Sequence, residues 1–115
     1  MVHELSLLRG VVAAVEETAA ARGAAGVEAV GLRVGTLSGA EIGALRGAWP
    51  IATAGTIMQG AELVIEPVQA AVWCPACEAA QPIDEFFALK CPVCGTPTAN
   101  LVAGREFETA YADLS

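Results

Sequence analysis

The chain contains the stretch Cys74-Pro75-Ala76-Cys77 and, after thirteen intervening residues, Cys91-Pro92-Val93-Cys94-Gly95. Two C-x-x-C pairs at this spacing can converge on one tetrahedral Zn²⁺ ion, because each pair supplies two thiolates from one tight turn. The proline inside each pair fixes φ at that turn, and the glycine frees the backbone after the second pair. The pattern predicts a zinc ribbon with a structural zinc ion held by Cys74, Cys77, Cys91 and Cys94.

Two disulfides, or a redox-active dithiol, are the alternative fates of these cysteines. The N-terminus lacks the basic region and clean apolar stretch of a secretory signal. No apolar run approaches the ~20 residues that a membrane span requires. We therefore expect a cytoplasmic protein without a membrane span, and that setting favours thiolates over disulfides.

The charge of the chain argues against nucleic-acid binding. Six basic residues face thirteen acidic ones, which gives a formal net charge of −7. Between residues 70 and 104, Lys90 is the only Lys or Arg. Nucleic-acid affinity depends mainly on Lys and Arg that neutralise phosphates, so we expect protein contacts or metal handling instead.

The residues before the ribbon alternate between helical and extended patterns. Leu5 to Ala19 repeats apolar residues every three to four positions, which predicts an amphipathic helix that ends near Gly23 and Gly26. Val27 to Gly35 alternates as a half-buried strand does. Ser38, with Glu41 three residues later, predicts a capping box that opens a second helix, and Pro50 predicts a kink or a restart in that helix.

Two further strands complete the predicted fold. Ala61 to Val68 alternates again, and Arg105 to Tyr111 has strand-forming residues without a helical period. We predict an α+β fold, in which a small three-stranded sheet with two helices carries an inserted zinc-ribbon domain. The predicted boundaries are 1–68 and 104–115 for the α/β domain and 69–103 for the zinc ribbon.

The only histidine, His3, lies at the N-terminus beside Glu4. In the simplest interpretation both are solvated residues that enter the first helix, where a carboxylate is favoured by the helix dipole. A free α-amine, backbone amide nitrogens and a nearby imidazole can also surround a metal ion in a square plane, a geometry typical of Ni²⁺ or Cu²⁺. Phosphate-binding glycine loops and a Ser-His-Asp set are absent, and a closed four-thiolate site is not catalytic, so we do not expect an enzyme.

Taken together, these elements resemble the HypA/HybF family of hydrogenase nickel-incorporation proteins. The resemblance covers essentially the whole chain: the N-terminal His-Glu-Leu, the segment Gly60-Ala61-Glu62-Leu63-Val64-Ile65-Glu66, the two C-x-x-C pairs and Gly104-Arg105-Glu106. It implies a nickel metallochaperone that transports Ni²⁺ bound at its N-terminus and keeps a structural Zn²⁺. It also implies two partners, the GTPase HypB and the [NiFe]-hydrogenase large subunit precursor, and a nickel-binding domain joined to a zinc domain.

One departure concerns the first residues. The family usually begins Met-His-Glu, whereas Val2 stands before His3 here. The resemblance implies that His3 and Glu4 hold nickel together with the amine of Met1 or, if Met1 is removed, of Val2. Glu41 is a further candidate oxygen ligand by family position, although the capping role is the better supported one.

Two other classes of protein fit parts of the sequence. A zinc-ribbon adaptor would bind other proteins without carrying nickel, and a thiol oxidoreductase would use the C-x-x-C pairs chemically. The expected assembly is a monomer or a homodimer.

Overall fold

The computed structural model describes residues 2–115, which form two helices and six strands. In chain order the elements are α1 (Val2–Ala21), β1 (Val27–Gly35), α2 (Ile42–Thr53), β2 (Glu62–Val68), β3 (Ala71–Cys74), β4 (Ala79–Pro82), β5 (Leu101–Ala103) and β6 (Phe107–Leu114). The strands form two three-stranded sheets, in the orders β2-β1-β6 and β4-β3-β5. The predicted α+β class is therefore confirmed, including the return of the chain end as the third strand of the first sheet.

The first of two compact units holds both helices. It contains the described residues up to Arg33, together with Ala40–Glu66 and Glu108–Ser115. Its buried residues come from one stripe of α1, from β1 and from α2, and they include Leu8, Val12, Val15, Val30, Leu32, Leu45 and Trp49. The Trp49 indole N–H donates to the Ala61 carbonyl at 2.8 Å, so this buried ring also has its polar group satisfied.

The C-terminus of α1 ends as the glycines predict. Gly23 adopts φ +65°, and the Ala24 and Gly23 amides donate to the carbonyls of Ala19 and Ala20. This pair of bonds is the Schellman arrangement, in which a left-handed residue lets the chain turn back onto the last carbonyls.

The start of α2 differs from the prediction. The residue that caps α2 is Glu41, whose two carboxylate oxygens accept from the Gly43 and Ala44 amides at 2.9 and 2.6 Å. Ser38 instead lies in a turn, where its amide donates to the Gly35 carbonyl. The predicted Ser38–Glu41 capping box is wrong because this turn keeps the backbone non-helical until Ile42.

The prediction for Pro50 was a kink or a restart, and the structure shows no restart of α2 there. The helix runs without interruption from Ile42 to Thr53 with Pro50 inside it. Near the end of the helix, the Thr53 hydroxyl donates to the Trp49 carbonyl at 2.9 Å. The last turn is also anchored by buried Trp49 and Thr53, so tertiary packing outweighs the lost proline hydrogen bond.

The second compact unit consists of Val34–Gly39 and Pro67–Phe107. Strand β3 pairs antiparallel with β4 in the register Cys74↔Ala79 and antiparallel with β5 on its other side. Ala70, Val72 and Ile83 form its small buried core, with Leu37, Phe87 and Leu101 packed around it. So small an apolar core is typical of domains that need a metal or disulfides for stability.

Neither helix in the part of the chain that the structure describes has the length and apolar character needed to cross a bilayer.

Candidate metal centres

The four cysteines lie on two similar turns of the second unit. Cys74 ends β3, and the turn that follows brings the Cys77 amide to the Cys74 sulfur at 3.3 Å. In the second turn the Val93 amide donates to the Cys91 sulfur at 3.4 Å, and Gly95 takes φ +78°. Amide donors of this kind stabilise a thiolate, because they point positive charge at the sulfur.

The distances between the four sulfurs fit a single tetrahedral metal ion. The Cys74 and Cys94 sulfurs lie 3.5 Å apart, the Cys77 and Cys91 sulfurs lie 3.9 Å apart, and all four lie within 4.8 Å of one another. A zinc–sulfur bond of ~2.3 Å places tetrahedral ligands about 3.8 Å apart. The cysteines are not bonded as disulfides. Their arrangement fits the predicted Zn²⁺ ligand set rather than the disulfide alternative.

The electrostatics of the cluster also favour a cation. Hydrogen bonding with the Cys94 and Cys74 sulfurs raises the pKa of the Cys77 thiol to about 12. The hydroxyl and amide of Thr96 lower the pKa of the Cys94 thiol to about 6, and the hydroxyl lies 3.1 Å from that sulfur. Thr96 thus favours ionisation of the Cys94 thiol, whereas the neighbouring sulfurs keep the Cys77 thiol protonated, and a divalent ion would allow all four to act as thiolates.

The second candidate centre lies at the start of α1. The His3 side chain is 48% exposed, whereas the Glu4 side chain is only 8% exposed. The His3 Nδ1 atom lies 3.5 Å from the Glu4 Oε2 atom. The predicted nickel residues are therefore neighbours with different environments: the imidazole is accessible and the carboxylate is buried. The amine of Met1 lies outside the described residues.

Glu4 also contacts α2. Its Oε2 atom accepts from the Glu41 amide at 3.2 Å, and this hydrogen bond lowers the pKa of the Glu4 carboxylate below its ordinary value of 4.5. In a capping box, the capping residue's own amide is satisfied by a carboxylate of the same helix. Here Glu4 of α1 supplies that carboxylate to Glu41, the residue that caps α2, so the two helices share one capping arrangement.

Glu41 itself is exposed, and both of its carboxylate oxygens are used to cap α2. The side chain predicted as an extra oxygen ligand thus has a structural role in which its lone pairs are partly occupied. The sequence did not predict the bond from the Glu41 amide to Glu4, because no local pattern links residues thirty-seven positions apart. It did not predict the Thr96 contact to Cys94 either, since a threonine two residues after a cysteine is a weak signal.

Comparison with known proteins places this chain in a family over nearly its whole length. A family described as "Hydrogenase/urease nickel incorporation, metallochaperone, hypA" matches residues 2–113. The hydrogenase maturation factor HypA of Chloroflexus aurantiacus is 41% identical over 106 residues, which cover 92% of this chain and 93% of that protein. The HypA of Methylocella silvestris is 39% identical over 112 residues, which cover 97% of this chain and 98% of its own.

Two solved structures share the fold at low sequence identity. A solution structure of a HypA protein has a TM-score of 0.72 at 19% identity and covers 100% of this chain and 98% of its own. The solution structure of the Ni metallochaperone HypA from Helicobacter pylori has a TM-score of 0.66 at 19% identity, covering 96% of both chains. Together with the two helices, the small sheets and the four-cysteine cluster, the sequence matches show that this chain belongs to the HypA family of hydrogenase maturation factors and nickel metallochaperones.

Proposed function

We propose that this protein binds Ni²⁺ at its N-terminus and delivers it during the maturation of a [NiFe]-hydrogenase. The observation that carries the proposal is the accessible His3 imidazole beside the buried Glu4 carboxylate, at the first turn of α1. The first amides of any helix have no acceptor in a preceding turn. Backbone nitrogens near His3 can therefore bind a metal without breaking hydrogen bonds of the helix.

The proposed nickel ligands are the His3 imidazole, the N-terminal amine and the backbone nitrogens of His3 and Glu4. Nitrogen ligands in a square plane suit Ni²⁺ and Cu²⁺, and Cu²⁺ binds at least as tightly by the Irving–Williams order. Selectivity then depends on metal supply and on the partner. The Glu4 carboxylate already accepts from the Glu41 amide, so we propose that it orients the site rather than binding the metal directly.

The proposed second metal is a structural Zn²⁺ held by Cys74, Cys77, Cys91 and Cys94. These side chains range from buried to exposed, and their sulfur atoms all lie within 4.8 Å of one another. A closed thiolate site retains its ion, whereas a few nitrogen ligands at a chain terminus allow release. The two centres would thus differ in purpose: one ion stabilises the second unit and the other is transported.

The proposed partners are the GTPase HypB and the [NiFe]-hydrogenase large subunit precursor, and the proposed location is the cytoplasm. A delivery role is tested in cells whose own copy of this gene is replaced by a variant. His3→Ala should abolish hydrogenase activity in medium poor in nickel, and excess nickel should restore it, because added metal bypasses a transport step. A defect that excess nickel does not correct would support the adaptor alternative, in which the protein never carries the ion.

A further inference from the structure

The strand β6 forms one edge of the first sheet. In the described part of the chain β1 is the only strand that pairs with it. Glu108, Thr109, Ala110 and Tyr111 are exposed in succession, and the strand Phe107–Leu114 contains no proline and no lysine. Proteins usually protect an edge strand with such residues, because its outer N–H and C=O groups can pair with another chain.

The opposite edge of the same sheet is protected. Strand β2 carries two exposed glutamates, Glu62 and Glu66, and Pro67, which cannot donate to a further strand. The two edges of one sheet therefore differ. Strand β6 also carries two exposed acids, Glu108 and Asp113, but it contains no proline, so none of its residues lacks the backbone N–H that a further strand requires.

A groove lies beside this open edge. It has a volume of about 270 Å³ and is lined by uncharged residues of α1 and β6: Ala14, Val15, Thr18, Thr109, Tyr111 and Ala112. The size suits one or two small apolar side chains. In strand addition, main-chain hydrogen bonds provide affinity, while pockets that receive alternate side chains provide specificity.

The surroundings of the groove are acidic. Glu16 and Glu17 are exposed between groove residues of α1, and Asp113 is exposed next to Ala112 on β6. Neither residues 10–21 nor residues 107–115 contain a lysine or an arginine. A segment that binds here is favoured by basic residues, and a second copy of this chain, with a net charge of −7, is disfavoured.

We infer that β6 accepts an extended, basic segment of a partner protein as a fourth strand, with a small apolar side chain of that segment in the groove. Alternate side chains of an added strand point to opposite faces. The side chains of one set reach the groove and the acidic residues Glu16, Glu17 and Asp113 on the same face, so the basic residues belong to that set, two positions from the apolar one. This surface does not include His3 or any of the four cysteines, so it stands independently of the proposed nickel site.

The test uses the full-length protein and a synthetic peptide of about eight residues, the length of β6, in which threonines alternate with residues that are lysine and valine in turn, so that lysine and valine share one face. We expect saturable binding by calorimetry, with amide NMR shifts centred on Thr109 to Asp113. A peptide of the same sequence with alternate amides N-methylated keeps its charge but cannot form the ladder. It should bind about tenfold more weakly.

Three variants separate strand addition from general charge attraction. Asp113→Lys and Ala14→Phe, which fills the groove from an exposed position, should each weaken peptide binding about tenfold. Glu62→Lys makes the same change of charge on the protected edge and should have little effect. Nickel binding should be unchanged in all three variants, so failure of this inference would leave the proposed function intact.

Three results would overturn the inference. The first is equal binding of the N-methylated peptide, and the second is shifts that map away from β6. The third is the absence of saturable binding at about 1 mM peptide. Concentration-dependent self-association through β6, detected by sedimentation, would instead assign the edge to a second copy of this chain.

Discussion

At the scale of single residues, Glu4 contacts both its neighbour His3 and the cap of the second helix. Its buried carboxylate accepts from the Glu41 amide and lies 3.5 Å from the imidazole of its neighbour. This hydrogen bond is partly buried, and a partly buried donor that loses its acceptor costs stability. The same side chain thus connects the proposed nickel site to the start of the second helix.

Substitution of Glu4 tests this double role. Glu4→Ala leaves the Glu41 amide without its acceptor, so we expect a lower midpoint of thermal unfolding, measured by circular dichroism. Glu4→Gln keeps an acceptor oxygen and should retain most of the stability. If both variants unfold at the same temperature as the wild type, the hydrogen bond between the helices contributes no measurable stability.

Gly35 lies where two backbone segments of the second unit meet. A Cβ atom there would lie 2.1 Å from the Gly104 carbonyl oxygen, which has no flexible side chain to move away. We therefore expect Gly35→Ala to lower the free energy of unfolding by about 2–3 kcal/mol, measured by urea denaturation. Gly47→Ala is the matched control: nothing lies within 4 Å of that site in α2, and the variant should gain about 0.5–1 kcal/mol. Equal stability of the two variants would contradict the close contact.

At the scale of elements, the sequence predicted the helices and strands well where one periodic pattern sufficed. The strand Val27–Gly35 appears at the predicted bounds, and α1 ends near Gly23 as predicted. The predictions failed where distant contacts decide. Ser38 and Glu41 matched a local capping motif that would place the N-cap at Ser38. In the structure the N-cap is Glu41, whose amide donates to the Glu4 carboxylate.

The candidate sites show the same limit: contacts within a local motif were predicted from the sequence, and contacts between distant residues were not. The spacing of the two C-x-x-C pairs was enough to predict that their four sulfurs would converge, because each pair is a local turn. The bond from Glu4 to the Glu41 amide joins residues far apart in the chain, so it could be found only in the folded structure.

The cap of α2 gives a prediction about Glu41. Glu41→Ala removes the acceptor of the Gly43 and Ala44 amides, so we expect a loss of about 1 kcal/mol in the free energy of unfolding. Chemical denaturation of the purified protein measures this loss. Nickel affinity, measured on the same sample, should be unchanged because we assign this side chain to the helix. A large drop in nickel affinity with unchanged stability would make Glu41 a ligand instead.

At the scale of the whole molecule, the chain divides its apolar residues unequally between two units. The first unit buries large side chains of two helices and a sheet, whereas the second has a core of Ala70, Val72 and Ile83 with a few partly buried neighbours. The first can be stable through packing alone. We expect the second to require the proposed metal ion at its four cysteines, because binding free energy of a structural metal becomes folding free energy.

Removal of the proposed zinc ion should therefore destabilise the second unit only. We expect a chelator, or Cys91→Ser, to abolish amide protection in Pro67–Phe107, measured by hydrogen exchange with NMR detection. Protection in α1 and α2 should remain. A zinc-free protein that keeps protection in β3 and β4 would show that the four cysteines do not stabilise this unit.

The proposed delivery of nickel depends on metal binding at His3 and the N-terminal amine, and calorimetric titration of untagged protein with Ni²⁺ measures this binding most directly. With its natural first residue, confirmed by mass spectrometry, the protein should bind one Ni²⁺ ion per chain beyond its zinc. His3→Ala should weaken that binding more than about tenfold, as should an added N-terminal tag that removes the amine. Equal nickel binding by the wild type and His3→Ala would contradict the account.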